Sequence, residues 1–355
     1  MCNIAGYIGK REATPILLEM MRREEGFAGG YYTGMTVHNG CDLVTEKVMG
    51  GLDRLLAETP CRTMRGTCGF IHSRSKSGGG PEWGQPFLSG DGRSSLIANG
   101  TAGWFLTPEM KKKRCDAVLS LEADGYTFGS RSQGVVGNYP ALADGTAVHS
   151  TDVMCQYLTR LIDRGMSPAA AMSEMMNELP CEAVVLLMRR ECPDSIFVTR
   201  LNYPMTVGIA EDGDVYLATT RMAFPEDVRF RDVHLMEPMH TYEVSRSGCT
   251  VTPYPLHPGI GVAAITPALF AAARTLMAER LRALGGKPVL AGQLLSSYDS
   301  VWPEGLLTQS EPLFYELCES LVREGCVGIT PVETEGAAPG YTATRCGIYW
   351  KDATQ

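Results

Sequence analysis

Two adjacent helical segments, residues 151–164 and 168–179, separate two groups of short β-type runs, and this order narrows the fold more than any other feature of the chain. The first group takes in residues 4–8, then 31–37 turning through His38-Asn39-Gly40 into 43–48, then 67–72 and 95–98. The second takes in 182–188, 195–201, 215–219 and the pair 241–244 and 249–253, divided by Asp-Gly and Ser-Gly turns. Short runs bounded by such turns read as strands joined in hairpins. Strands, then helices, then strands point to an α+β chain with antiparallel sheets covered by helices, because a parallel sheet needs a crossover between successive strands.

Four helix starts carry a hydroxyl residue followed by proline: Thr14-Pro15, Thr107-Pro108, Ser167-Pro168 and Thr266-Pro267. The hydroxyl suits the N-cap, where it accepts from a first-turn amide, and proline suits the next position, where no N–H is needed. Three prolines and a glycine within residues 253–259 mark a linker between a main domain, 2–255, and a small one, 256–355. The small part carries a helix with Leu269, Ala273, Met277 and Leu281 at four-residue spacing, stopped by Gly285-Gly286 and Pro288. A second helix over 312–324 and a hairpin over 327–350 follow, and this order resembles a winged-helix module. Its 7 Lys and Arg against 10 Asp and Glu oppose a DNA-binding role, which needs a basic face.

The 355 residues hold 32 Lys and Arg against 40 Asp and Glu, a net charge of −8 that repels nucleic acid and anionic lipid surfaces. The longest uncharged stretch, 259–273, contains Pro267 and falls short of the roughly 18 residues of a membrane span. The opening residues lack the basic flank and apolar run of a signal peptide, so a cytoplasmic chain with its 12 cysteines as thiols is expected. No C-x-x-C pair and no H-x₃₋₅-H spacing occurs, so no metal site is expected. Cys68, Cys115, Cys155, Cys181, Cys318 and Cys326 lie in or beside apolar periodic segments, where a thiol behaves as a small hydrophobe.

Cys2 is different. Removal of Met1 before a small residue would place a thiol and a free α-amine on one residue, with the amine pKa of about 7.7–8.0 just below the thiol's of about 8.5. Nucleophile and base then need no other partner. A lone cysteine at position 2 is more simply incidental, but the segment Cys2-Asn3-Ile4-Ala5-Gly6-Tyr7-Ile8-Gly9 resembles the C-G-I-x-G-x-x-G opening of class II glutamine amidotransferases. His72-Ser73-Arg74-Ser75-Lys76-Ser77-Gly78-Gly79 is similar to that family's H-T-R-W-A-T-H-G, and Leu96-Ile97-Ala98-Asn99-Gly100 to its V-x-H-N-G. Ser150-Thr151-Asp152-Val153 is similar to its D-T-E-V stretch.

The resemblance covers roughly residues 2–255 and implies an N-terminal-nucleophile αββα sandwich, two stacked antiparallel sheets between helical layers. It implies that Cys2 attacks the side-chain amide of glutamine, and that the Asn99 side chain and the Gly100 N–H form the oxyanion hole. Arg74, within a motif that includes His72 and Ser73, would grip the α-carboxylate of glutamine, a task suited to a forked guanidinium. Asp152 is the candidate for the α-ammonium, although the literal alignment places Ser150 there and Asp152 equally suits the first turn of a helix. No cofactor is implied. With no phosphate loop and only 100 residues after 255, the acceptor of ammonia is expected on a synthase partner chain; assembly as a homo-oligomer stays open.

Some residues depart from the family pattern. Asn3 stands for a glycine, Ser75 for a tryptophan, Gly78 and Gln85 for histidines, and Gly29-Gly30-Tyr31 lacks an arginine. Two other readings compete: an N-terminal-cysteine hydrolase of bulkier amides, against which Arg74 argues, and a non-catalytic glutamine-sensing or scaffold protein.

Overall fold

The computed structural model describes residues 2–134, 139–246, 248–254 and 260–351, with the backbone alone for 248–252. Residues 255–259 of the expected linker lie outside the described residues.

Seven strands make the first sheet, in the spatial order β13 (Phe230–Leu235), β11 (Thr206–Ala210), β12 (Val215–Ala218), β1 (Asn3–Ile8), β4 (Cys68–Arg74), β2 (Tyr32–His38) and β3 (Leu43–Met49). Six make the second: β15 (Gly248–Pro253), β14 (His240–Ser245), β10 (Ser195–Arg200), β9 (Glu182–Arg189), β6 (Ser94–Thr101) and β5 (Phe87–Leu88). Every pairing in both is antiparallel. A short ladder of β7 (Ser132–Gln133) and β8 (Thr146–Ala147) stands apart from them.

Side-chain alternation along the strands assigns the layers. Ile4 and Ile8 of β1 meet Val184, Leu186 and Met188 of β9 in the core between the sheets. Ala5 and Tyr7 face the opposite way, under α1 (Ala13–Ala28) and α2 (Leu52–Glu58). Val185 and Leu187 face α4 (Ser150–Asp163) and α5 (Pro168–Glu178), and α3 (Pro108–Ala123) packs on the far side of α4. The four layers are therefore helices, sheet, sheet, helices, the αββα architecture implied by the resemblance.

Thr107, Ser167 and Thr266 cap their helices as expected, each accepting from an amide three residues on. Thr14 does not. Helix α1 starts at Ala13 after Glu12, and the Thr14 hydroxyl donates to the Met64 carbonyl instead. Proline lacks an N–H, and all of the first-turn amides are free of intrahelical bonds, so Pro15 fits inside the turn as well as at its first position.

The C-terminal part consists of α6 (Pro267–Ala283), α7 (Ser310–Arg323) and a sheet in the order β16 (Val289–Leu290), β18 (Thr342–Trp350), β17 (Val327–Glu335). Its core includes Phe27 from the end of α1, which meets the Tyr315 ring edge-on at 5.8 Å. Gly26 lets β18 approach α1: a Cβ there would lie 2.7 Å from the Cys346 sulfur. Arg345 donates to the Gly26 and Phe27 carbonyls at 3.1 and 3.2 Å. Among the described residues no helix is long and apolar enough to cross a membrane.

Candidate active site

Strand β1 is central in its sheet, so Cys2 at its start lies where both sheets end together. Its neighbour Asn3 pairs with Ser73 of β4, which puts Arg74 alongside Cys2, while β6 of the other sheet brings Asn99 and Gly100 opposite Val184 and Ala183. The Cys2 nitrogen donates to Asn99 Oδ1 at 2.8 Å, across 97 residues of sequence. That contact leaves Asn99 Nδ2 buried and without a partner, a free donor at the nucleophile. Gly100 is sterically required, since a Cβ there would fall 2.3 Å from the Glu182 carbonyl oxygen and 2.4 Å from the Ala183 Cβ. The Cys2 sulfur is 3.8 Å from the Ser75 hydroxyl.

A cavity of about 380 Å³ opens beside the sulfur, and Cys2, Arg74, Gly100, Tyr139, His149 and Ser150 are among its lining residues. Arg74 is 1% exposed, and no carboxylate pairs with it among the described residues. Its guanidinium sits over the Tyr32 ring at 4.6 Å, Nη2 is 3.5 Å from the Tyr139 hydroxyl, and Nη1 has no partner. A buried cation in that state is costly unless an anion joins it, so the site is poised for a carboxylate.

The other expected residues support this wall from behind. His72 is fully buried with Nε2 3.2 Å from the Ala98 carbonyl, and burial, with the Arg74 charge adding, pushes it down to about 3. It is therefore neutral and holds the strand that carries Asn99. Gln85 binds the same residue through both ends of its amide, Oε1 accepting from Ala98 N at 2.7 Å and Nε2 donating to Ala98 O at 3.1 Å. The Ser73 hydroxyl accepts from Gly30 N and donates to Glu25 Oε1, both at 2.8 Å, which ties down the turn after α1. Asn3 does similar work, accepting from the Ala28 and Gly29 amides at 3.0 and 2.8 Å.

Asp152 lies away from the cavity. It is fully buried, accepts from Ser130 N, Ser130 Oγ and Gln156 Nε2 at 2.9, 2.8 and 3.0 Å, and its carboxyl is pushed up by burial. Ser150 and Thr151 line the cavity in its place. Two residues are about 200° of helical turn, so Ser150 and Asp152 at the start of α4 face opposite ways. The position aligned literally is the one that reaches the cavity.

Tyr139 and His149 were not singled out from the sequence. Their rings lie 4.7 Å apart and close the wall beside Trp83, 4.8 Å from Tyr139. His149 caps α4, with Nδ1 accepting from Thr151 N at 3.1 Å, and burial foremost, then the Arg74 charge, holds it well below the usual histidine range. An aromatic flanking a Ser-Thr helix start was the available signal for His149; Tyr139 sits in a stretch with none. Among the described residues no cluster of three or more His, Cys, Asp or Glu side chains could hold a metal ion.

The two-sheet architecture with a thiol at the start of a central strand is that of N-terminal-nucleophile glutamine amidotransferases. The solved glutamine phosphoribosylpyrophosphate amidotransferase from B. subtilis, complexed with ADP and GMP, superposes with a TM-score of 0.58 at 16% identity, covering 79% of this chain and 58% of that one. In sequence, the chain's homologues are glutamine-fructose-6-phosphate aminotransferases (isomerizing). It is 27% identical over 223 residues to that of Bacteroides thetaiotaomicron, 62% of this chain and 32% of that enzyme. It is 28% identical over 240 residues to that of Caldanaerobacter subterraneus subsp. tengcongensis, 66% of this chain and 34% of that enzyme. The chain thus spans about a third of the length of these curated relatives. No family model matches it.

Proposed function

We propose that this chain is the glutaminase part of a class II glutamine amidotransferase, with Cys2 as nucleophile once Met1 is removed. The observation that carries the reading is one cavity holding both the Cys2 sulfur and a buried, unpaired Arg74. Arg74 receives the α-carboxylate of glutamine in two parallel bonds, and Ser150 lies where the α-ammonium would be met. The Cys2 α-amine takes the thiol proton as sulfur attacks the side-chain carbonyl carbon, and the amine, once freed, is held by Asn99 Oδ1. Negative charge on the carbonyl oxygen is met by Asn99 Nδ2 and the Gly100 N–H, donors placed before the reaction begins.

Collapse of the tetrahedral adduct breaks the C–N bond, the ammonium returns its proton to the departing nitrogen, and ammonia leaves. Water then adds to the thioester, giving glutamate and restoring the thiol. The ammonia passes to a separate synthase chain, since the acceptor part of the longer relatives lies beyond their shared third.

Ammonia release from glutamine, with intact mass measured on the same sample, tests this reading. A glutamine-mimicking diazoketone is expected to label Cys2 alone among the 12 cysteines, and Cys2→Ala to abolish labelling and ammonia together. Active protein that retains Met1, or a label on another cysteine, would overturn it.

A further inference from the structure

The C-terminal part contributes one titratable side chain to the neighbourhood of the nucleophile: Glu311, the second residue of α7. It is not among the residues lining the cavity. The segment leading into it is tied down residue by residue. Gln309 accepts from Arg200 Nη2 at 2.6 Å and donates to the Ala263 carbonyl at 2.8 Å. Asn202 Nδ2 donates to the Thr308 carbonyl at 2.9 Å, and the Tyr298 hydroxyl donates to the Ser310 carbonyl at 3.1 Å. The first turn of α7 is thereby fastened to residues 200–203, which follow β10. Tyr203, in that segment, donates its hydroxyl to Glu311, and the Cys2 thiol acts electrostatically on both.

The groups around Glu311 leave it short of a partner. Glu311 Oε2 is closed off from solvent and makes no hydrogen bond. The titratable groups that face it are Tyr203, Glu182, Cys2, Tyr298 and Tyr315, with the positive charge of the amino terminus. No lysine or arginine is among them. Burial pushes the carboxyl up to about 7; the amino-terminal charge and the Tyr203 hydroxyl pull it down, while Cys2 and Glu182 add to the rise. Glu311 therefore carries a growing negative charge through the neutral range, and the amino terminus is the cation it faces.

We propose that Glu311 is a positioning residue for the nucleophile, its carboxylate favouring the protonated state of the Cys2 amine and thiol and so setting the pH at which Cys2 becomes reactive. The inference rests on the reading of Cys2 as nucleophile. A nearby carboxylate stabilises an ammonium and opposes a thiolate, so both effects move proton release to higher pH. The C-terminal part then does more than cover the sandwich, because it delivers this charge from a helix outside both sheets.

The test is alkylation of Cys2 by iodoacetamide in the full chain lacking Met1, followed by peptide mass spectrometry across pH, beside ammonia release from glutamine. In Glu311→Gln the pH of half-maximal alkylation is expected to fall by on the order of one unit, with KM for glutamine little changed. Glu311→Ala must move the profile the same way, and Glu311→Asp must keep it near that of the unmodified protein. Profiles that superpose, equal shifts in Asp and Gln variants, or a Cys2 that is not alkylated at any pH would overturn the proposal. Shifted alkylation without ammonia release would leave it standing and remove the glutaminase reading; ammonia release with an unshifted profile would do the reverse.

Discussion

Strands β1 and β4 are buried at every position, whereas β17 alternates between covered and open residues along most of its length. The sandwich strands lie between a helical layer and a second sheet, so every side chain has a neighbour, and polar ones persist only where they are bonded. Asn3, His72, Ser73 and Arg74 all lie near the end of the β1–β4 pair, and all but Arg74 have bonds that hold the surrounding backbone. The C-terminal sheet is covered on one face only and joins the sandwich over a narrower front, through Phe27 and the first turn of α7. The difference teaches where the chemistry can sit: the two-sided region supplies a rigid nucleophile and oxyanion wall, and the one-sided region can add a group from outside.

The comparison breaks first at Phe27. If the C-terminal part is an outer layer on α1, Phe27→Ala should cost about 3–5 kcal/mol, the usual loss for a buried aromatic, read as a lower midpoint in denaturant. A cost near zero would mean that the contact is incidental and the two regions independent.

Inside the rigid wall, Asn99→Ala should lower kcat for glutamine hydrolysis by on the order of 10²-fold with a smaller change in KM, as expected for one oxyanion donor. The recognition wall should behave differently. Arg74→Lys is expected to raise KM about tenfold with less effect on kcat, because a point charge cannot reproduce the two parallel bonds of a guanidinium. Steady-state kinetics on both variants separates the walls; equal effects on KM alone would remove the oxyanion assignment.

The smallest effect concerns pH and has opposite signs in the two regions. His72 is held far below its unfolded pKa, so its contribution is present above about pH 6.5 and lost as pH falls toward about 3. Between pH 7.5 and 5.5 that loss is about 1.4 kcal/mol for His72, and buried His149 acts in the same direction. Glu311, raised above its unfolded value, contributes below the unfolded pKa and loses that contribution as pH rises toward about 7. Acidification from 7.5 to 5.5 should therefore lower the melting temperature more in Glu311→Gln than in the unmodified protein, and less in His72→Gln. Identical slopes in all three by calorimetry would show that neither group is coupled to folding.

The strands were legible because period-two apolar runs bounded by turns have few other solutions, and three helix starts because their caps are local. Cys2, Asn99, Gly100 and Arg74 were legible because each sits in a short segment with an unusual neighbour. Asp152 was misplaced because a shift of two residues along a helix reverses the face, and which face meets the cavity depends on how α4 packs on β6 and α5. Tyr139, His149 and Glu311 had no local signal, since each acquires its role from residues far away in sequence.

The amino-acid sequence by itself determined which residues alternate between apolar layers, where the helices begin, and that a thiol opens the first strand. Only the tertiary structure decided that Asn99 would hold the Cys2 nitrogen, that Arg74 would be buried without a counter-ion, and that α7 would bring Glu311 toward the same nucleophile. The physical reason is range. Propensity, capping and hydrophobic period act over a few residues, while the partners of a buried charge are chosen by whichever distant segments the packing of whole layers brings together.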